Sequence, residues 1–558
     1  MMRRLITTFL LTSVLVMPLP ASYAQRRTPK AKKAAPVSVT TQRGADTITA
    51  AQLQDYLMFI ASDEMEGRDT PSRGLDTTAK FLATDLARWG FKPAGDGGTF
   101  FQRIDLRRER ADGGQTRVDF NGRVLNSGVE YIPLGGSGVI SAPLVFAGNG
   151  WFVKSKNLDA YKDIDPTGKI AIVFGSPATG NPPRGITRAD LTGKSGEDWM
   201  SASEYARRKG VVALVYVPEV QFLTNWETTR RRIMDRGSIG VAKFQPQGAN
   251  PLPSIVVSPE FANALFSGER SSASTLYNSY YGTGLPGSFA LNPDKKLTLN
   301  LAARSEIIPT QNVVAVWEGS DPVLKNEYVA IGAHYDHIGI CAPTGPDPIC
   351  NGADDDGSGT TAILGMAEAL AKAPTRPKRS VVLVWHCGEE KGLWGSRYFT
   401  EYPTVPIDHI VTQLNIDMIG RSKKEGDTNP RNKDLTGPND IYVIGSTMMS
   451  TELGEILETV NKSYLNLGFD RKYDDPADPE RFFYRSDHYN YAKKGIPIIF
   501  FFDGVHEDYH RPGDSPDKID YQKMEKVTRT IYMTLWEIAS RPTRPKVDKP
   551  LPAQLSTN

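Results

Sequence analysis

The sequence predicts an α/β protein in which a mostly parallel mixed sheet, covered by helices on both faces, carries a smaller β-rich insertion. Three observations lead there. From about Asn312 onward, continuous apolar runs alternate with helically spaced segments, as in YVAIGAH, TTAILGMAEALAKA, SVVLVWHCG, LWGSRYFTEY and IVTQLNIDMIG. Apolar strands without polar alternation, separated by helices, belong to a parallel sheet buried on both sides. Between about Val139 and Phe266 the texture changes to short β-rich runs, PLVFAG, KIAIVFG and VVALVYVPE, parted by Gly- and Pro-bearing turns; this reads as a separate module. The chain's 558 residues also exceed the roughly 250–300 that a single core sustains.

Taken in order, the chain opens with Arg3 and Arg4, an apolar run from Leu5 to about Leu19, and the small residues Ala21, Ser22 and Ala24. That pattern predicts a secretory signal over residues 1–24, cleaved after Ala24. The run is shorter than the roughly 20 residues that span a bilayer, and no later segment is a spanning candidate, so a secreted or periplasmic protein without a membrane span is expected. Residues 25–45, beginning QRRTPKAKKAAPV, have little to bury and read as a disordered linker. From Thr49 to Gly90, Leu53, Leu57, Phe59 and Ile60, then Phe81, Leu82, Leu86 and Trp89, recur at helical spacing; two amphipathic helices should flank the loop EMEGRDTPSRG. Residues 46–136 thus form the first part of the main unit, 137–285 the insertion, 286–542 the rest of the main unit, and the Pro-rich 543–558 a disordered tail.

The 66 basic and 64 acidic residues nearly balance, so nothing asks for nucleic acid as a partner. Three cysteines are too few for a disulfide scaffold. Cys341 and Cys350 share one Pro-rich loop and are close enough to pair, whereas Cys387 ends an apolar run and reads as a buried free thiol.

Chemistry concentrates where strands end. His334 and Asp336 lie just past YVAIGA, Glu389 and Glu390 just past SVVLVWHCG, Asp417 just past LNI, and Tyr509 and His510 in the loop after IPIIFFF. The loop NGADDDGSG adds Asp354, Asp355 and Asp356 immediately before a helix. All seven histidines fall between His334 and His510. Ligands of open α/β sheets bind at the carboxyl ends of the strands. Converging buried carboxylates are expected to be paired or to hold a cation, and a mixed His and carboxylate set suits zinc.

The five ordered motifs AHYDHIG, GADDDGSGTTAI, CGEEKGLWGS, LNIDMIG and DYHRPGDSPDKID, spread over about 200 residues, resemble the secreted zinc aminopeptidases of metallopeptidase clan MH, family twenty-eight. The resemblance implies a zinc exopeptidase fold and two zinc ions per chain: His334 and Asp417 on one, Glu390 and His510 on the other, and Asp355 bridging them. It implies a cis peptide between Asp355 and Asp356, Glu389 as general base and acid, Asp336 as the partner orienting His334, and Tyr509 as donor to the developing oxyanion. His337, His386, His409, His488 and His506 match no ligand position and are read as structural or loop residues. Asp487 is left outside the catalytic set. DPTGKIAIVFG and EYARRKGVVALVYVPE in the insertion resemble a protease-associated domain, which has no catalytic residue of its own and would offer a surface for protein contact.

The implied activity is removal of N-terminal residues from peptides or proteins. A carboxypeptidase or dipeptidase on the same site would need a basic cluster for the substrate carboxylate, and no Arg-rich strand end supplies one. A non-catalytic receptor-like module on a peptidase fold would be expected to have lost ligands or base, whereas all six are present.

Overall fold

The computed structural model describes residues 43–177, 182–245, 251–341 and 346–552. The expected signal and nearly all of the linker lie outside the described residues. Helices α1 (Ala50–Ile60) and α2 (Arg73–Arg88) form where the apolar spacing predicts them. Each begins at a hydroxyl cap: Thr49 accepts the Gln52 N–H and Ser72 that of Leu75, which satisfies amides that a helix start leaves unpaired. Leu53, Leu57 and Ile60, with Leu75, Leu82 and Leu86, turn into the core. Phe59 stays partly exposed against Phe81, ring centroids 4.6 Å apart.

The main sheet is built from β1 (Phe101–Ala111), β2 (Ser238–Val241), β3 (Ala303–Trp317), β4 (Tyr328–His334), β5 (Ser380–His386), β6 (Ile410–Ile416), β7 (Asp440–Ile444), β8 (Gly468–Asp470) and β9 (Ile498–Phe502). Its spatial order is β2-β1-β3-β5-β4-β6-β9-β7-β8. Strands β5, β4, β6 and β9 are parallel neighbours and form the centre, while β2, β1 and β3 run antiparallel along one side and β7 is antiparallel to β9. The sheet is therefore mixed with a parallel middle.

Alternation along the strands feeds two cores. On one face Val381, Leu383 and Trp385 of β5 pack with α1, α2, α3 (Gly359–Lys372) and the long C-terminal helix Tyr521–Ser540. On the other, Val382 and Val384 meet Phe399 of the helix Trp394–Glu401 and Tyr489 and Tyr491 of the helix His488–Ala492. Both faces are covered, as the uninterrupted apolar runs require.

His488 belongs to this second core, stacked on Phe500 with centroids 4.5 Å apart. Burial pushes its pKa down to about 3, so the folded chain keeps the ring neutral while the unfolded chain protonates below about 6.5. Stability is therefore expected to fall as pH drops from about 6.5 toward about 3, by up to about 1.4 kcal/mol per pH unit from this group alone. His488→Phe should flatten that part of the acid-unfolding curve, read as melting temperature against pH.

The β-rich unit has cores of its own. Six strands run in the order Phe289–Ala290, Leu144–Phe146, Ile170–Phe174, Ala213–Val217, Ser254–Val257 and Tyr131–Gly135. The runs PLVFAG, KIAIVFG and VVALVYVPE supply three of these strands. Residues of this core reach from Val118 to Leu301, beyond the expected 137–285 on both sides. The reason is a long-range pairing: Leu297–Leu301 lies between Arg117–Phe120 and Gly138–Ala142, which no local pattern announces. The strand Ser238–Val241 leaves the unit to pair with β1, tying it to the main sheet.

The expected tail is described up to residue 552 and is largely exposed, with a few contacts to the main unit: Asp548 and Lys549 donate backbone N–H groups to the Met449 carbonyl, Lys546 donates to Glu452, and Leu551 lies against the second core. Proline spacing marks an absence of helix, and these contacts are made without one. Cys341 and Cys350 form a disulfide, Cα atoms 5.8 Å apart, and Cys387 is a buried thiol.

Candidate metal centre

Each side chain of the site arrives from a different strand end. His334 is the last residue of β4, Asp417 follows β6 directly, Glu389 and Glu390 follow β5, and His510 lies in the loop after β9. Asp355 comes from the turn 353–358 before α3, whose Asp355–Asp356 peptide is cis, as the resemblance implies.

The distances knit these into one cluster. His334 Nε2 lies 3.2 Å from Asp355 Oδ1, 3.6 Å from Asp417 Oδ1 and 3.9 Å from Glu389 Oε2. His510 Nε2 lies 3.1 Å from Asp355 Oδ2 and 3.2 Å from Glu390 Oε2. Asp355 is the only one of its trio to face these imidazoles. Asp356 instead accepts the backbone N–H groups of His334, Gly359 and Met418. Asp354 accepts that of Gly420 and faces His506 at 3.4 Å. The backbone N–H groups of Asp354 and Asp355 both donate to the buried carboxylate of Asp514. The turn is thus held by its neighbours while Asp355 is left to the site.

Asp336 differs in detail from the expected orienting role. His334 Nδ1 lies 3.0 Å from the Asp336 backbone carbonyl and 3.7 Å from its carboxylate, whose Oδ1 accepts the Glu389 backbone N–H at 3.1 Å. One residue therefore fixes both the His334 ring and the Glu389 backbone. Tyr509 stacks on His510, centroids 3.9 Å apart. Burial pushes its phenol well above the ordinary range, so it stays protonated and able to donate. Asp487 sits beneath the cluster, 3.3 Å from His386 Nδ1, and His386 Nε2 meets the Tyr491 hydroxyl at 3.0 Å.

Two residues escape sequence reasoning. His337, one position past Asp336 in AHYDHIG, lies with Nδ1 2.8 Å from Glu390 Oε1 and 3.7 Å from Asp355 Oδ2. On sequence alone it is set aside as a structural or loop residue, whereas the structure places its ring against the cluster. Its only sequence signal is its place inside the motif AHYDHIG, next to Asp336. Arg68, in the loop between α1 and α2, is fully buried and donates to the carbonyls of Ile60, Tyr335, Asn351 and Gly352 at 2.7–2.9 Å. It clamps the loops that present His337 and Asp355. Arg68→Met should remove four hydrogen bonds to buried carbonyls, of which that of Gly352 keeps the Gly357 N–H, and cost about 3–5 kcal/mol, read as a drop in unfolding midpoint.

The electrostatics favour a cation. Burial alone would raise Asp355, but His334, His337 and His510 hold it well below the usual carboxylate range. Against burial and Asp355, the same two imidazoles His337 and His510 bring Glu390 down to about 2. His510 is raised to about 10 despite burial, by Asp355 and Glu390. Glu389 is pushed well above its ordinary value, first by burial and then by Asp417 and Glu390. His337 Nδ1 and Nε2, Asp355 Oδ2, Glu390 Oε1 and His510 Nε2 are buried without a hydrogen-bond partner. Imidazole nitrogens and carboxylate oxygens left in this way are the donors a borderline divalent ion takes. Two overlapping groups, His334, Asp355, Asp417 and His337, Asp355, Glu390, have donor atoms within 4.8 Å of one another. Beside them opens an apolar recess walled by Met418, Phe482, Phe500, Phe502 and Val505, with Arg485 among its lining residues.

Residues 312–535, which contain every residue of this cluster, match the family model for peptidase family M28. This region is similar to the M28 peptidases. Among curated relatives, leucine aminopeptidase 2 of Arthroderma otae is 27% identical over 281 residues, 45% of this chain and 50% of that protein. Leupeptin-inactivating enzyme 1 of Streptomyces exfoliatus is 28% identical over 208 residues, 37% of this chain and 38% of that one. The chain spans about half or less of the length of these relatives. A solved aminopeptidase from Aneurinibacillus sp. strain AM-1 aligns over 91% of this chain and 98% of its own, with TM-score 0.50 and 16% identity, which shows a shared fold. No helix among the described residues is long and apolar enough to cross a membrane.

Proposed function

We propose that the chain is an exported, zinc-dependent aminopeptidase that hydrolyses the first peptide bond of peptides or proteins with a free N-terminus. The observation that carries this reading is Asp355, whose two oxygens face two imidazole-bearing groups at once. His334 and Asp417 would hold one zinc ion and Glu390 and His510 the other, with Asp355 shared. Zinc bound there would supply Lewis-acid polarisation of the scissile carbonyl and of the attacking water.

The chain's own residues do the rest. Glu389 is free of the two carboxylate-imidazole pairs and has the raised basicity of a buried carboxylate, which suits a group that both accepts and donates a proton. It takes one proton from the attacking water as oxygen adds to the carbonyl carbon. It then returns that proton to the amide nitrogen as the C–N bond breaks and the amine leaves. Asp336, through the Glu389 backbone N–H, holds that base in place. The protonated Tyr509 donates to the oxygen on which charge develops. A substrate ammonium is attracted to the carboxylates, and the apolar recess is where its first side chain would lie. The β-rich unit is read as a protease-associated domain presenting a protein-contact surface.

Arg485 beside the recess gives a second reading its one support, a carboxypeptidase or dipeptidase that anchors a substrate carboxylate. Aminoacyl chromogenic substrates with free and with acetylated N-termini separate the two. Cleavage of the free-amine forms alone is expected. Cleavage of blocked peptides from their C-termini would move the assignment to the carboxypeptidase reading.

A further inference from the structure

We propose that His337 is a direct ligand of the second metal position, giving it one protein donor more than the first. The inference rests on the metal-dependent reading above and deepens it. His337 is fully buried, and neither ring nitrogen has a hydrogen-bond partner. An imidazole taken out of water is normally paired or bound. Its Nδ1 points at Glu390 Oε1, 2.8 Å away, and at Asp355 Oδ2, 3.7 Å away. Ligand atoms of a tetrahedral zinc, each at about 2.0–2.1 Å, stand about 3.3 Å apart, and the two His337 separations lie on either side of that spacing. His510 reaches the same two carboxylates, with its ring centroid 5.6 Å from that of His337.

The ring is fixed from several sides. The His337 backbone N–H donates to the Arg68 carbonyl. Gly352, with φ 59°, lies so close that a Cβ there would sit 2.5 Å from the ring Cγ, so only glycine lets that loop close over the imidazole. Gly339 is bonded to Gly67 and Cys350, and the Cys341–Cys350 disulfide pins the loop just beyond. A ligand held this rigidly loses little freedom on binding.

The two positions become unequal. His337, Asp355 and Glu390 have donor atoms within 4.8 Å of one another, and His510 reaches the same two carboxylates, so the second position draws on four protein side chains where the first draws on three. His334, Asp417 and Asp355 leave the first with a place for water or substrate, the arrangement of catalytic sites. The second metal should therefore be retained far longer than the first.

Stepwise chelation of the full-length protein, followed by zinc analysis, tests this together with the visible absorption of the cobalt-substituted protein. Wild type should lose its metals in two separated steps. His337→Ala should lose the tight step, with affinity reduced by more than the roughly 100-fold upper range for an outer partner, and with a changed cobalt spectrum; added imidazole should restore both. His337→Asn, which can still donate to Glu390, should behave like His337→Ala. If His337→Asn keeps the tight step and the wild-type cobalt spectrum, His337 only positions Glu390 and the proposal is wrong. Unchanged binding in both variants overturns it equally. A wild type that binds no divalent metal sinks the metal-dependent reading itself along with this one.

Discussion

Glu389→Gln is expected to lower kcat by about 10²–10⁴-fold, the usual worth of a positioned general base, with zinc content and KM close to wild type. The reason lies in the division of labour within the pair after β5. Glu390 faces His337 and His510 through both oxygens, whereas Glu389 approaches only His334, at 3.9 Å. Glutamine keeps the volume and the backbone N–H that bonds Asp336, so the loop stays in place and only the ability to take up a proton is lost. Glu390→Gln should do the reverse and lower metal affinity. If both variants lose zinc and activity together, the assignment of base and ligand within the pair is wrong.

Asp355→Ala should be the most damaging single change to the site. It removes the acceptor common to His334, His337 and His510 and takes a donor from both metal-binding groups at once. Loss of both metals removes several kcal/mol of charge stabilisation, equivalent to about 10³-fold or more in kcat. Asp356→Ala is a contrasting control: it breaks three bonds to backbone N–H groups and should act through stability, with the residual folded protein retaining metal. Elemental analysis beside thermal melting separates the two.

Much of this was legible in the sequence because it follows from local pattern. Apolar runs fixed the central strands, and polar residues directly after them marked the edge at which the site is built. The spacing within GADDDGSG could not, by itself, choose among three aspartates; the resemblance chose Asp355, and the backbone amides that occupy Asp354 and Asp356 supply the physical reason. What escaped was non-local. His337 is outside any strand, so no periodicity says where its ring turns, and its direction depends on Arg68 and Gly352, the former some 270 positions away. The extent of the β-rich unit depended likewise on pairing between residues near 118 and 299. Segment 543–552 shows the limit of composition: a proline-rich and largely exposed chain still bonds to a neighbouring helix start, here around Met449 and Thr451.

The proposed aminopeptidase activity requires a metal site shared through Asp355, and zinc analysis of the purified mature protein addresses it directly when joined to hydrolysis of free-amine substrates before and after chelation. Close to two zinc ions per chain, with activity lost on chelation and regained on adding zinc, is the predicted result. A folded chain that carries no divalent metal, or one whose cleavage is indifferent to chelation, would contradict it.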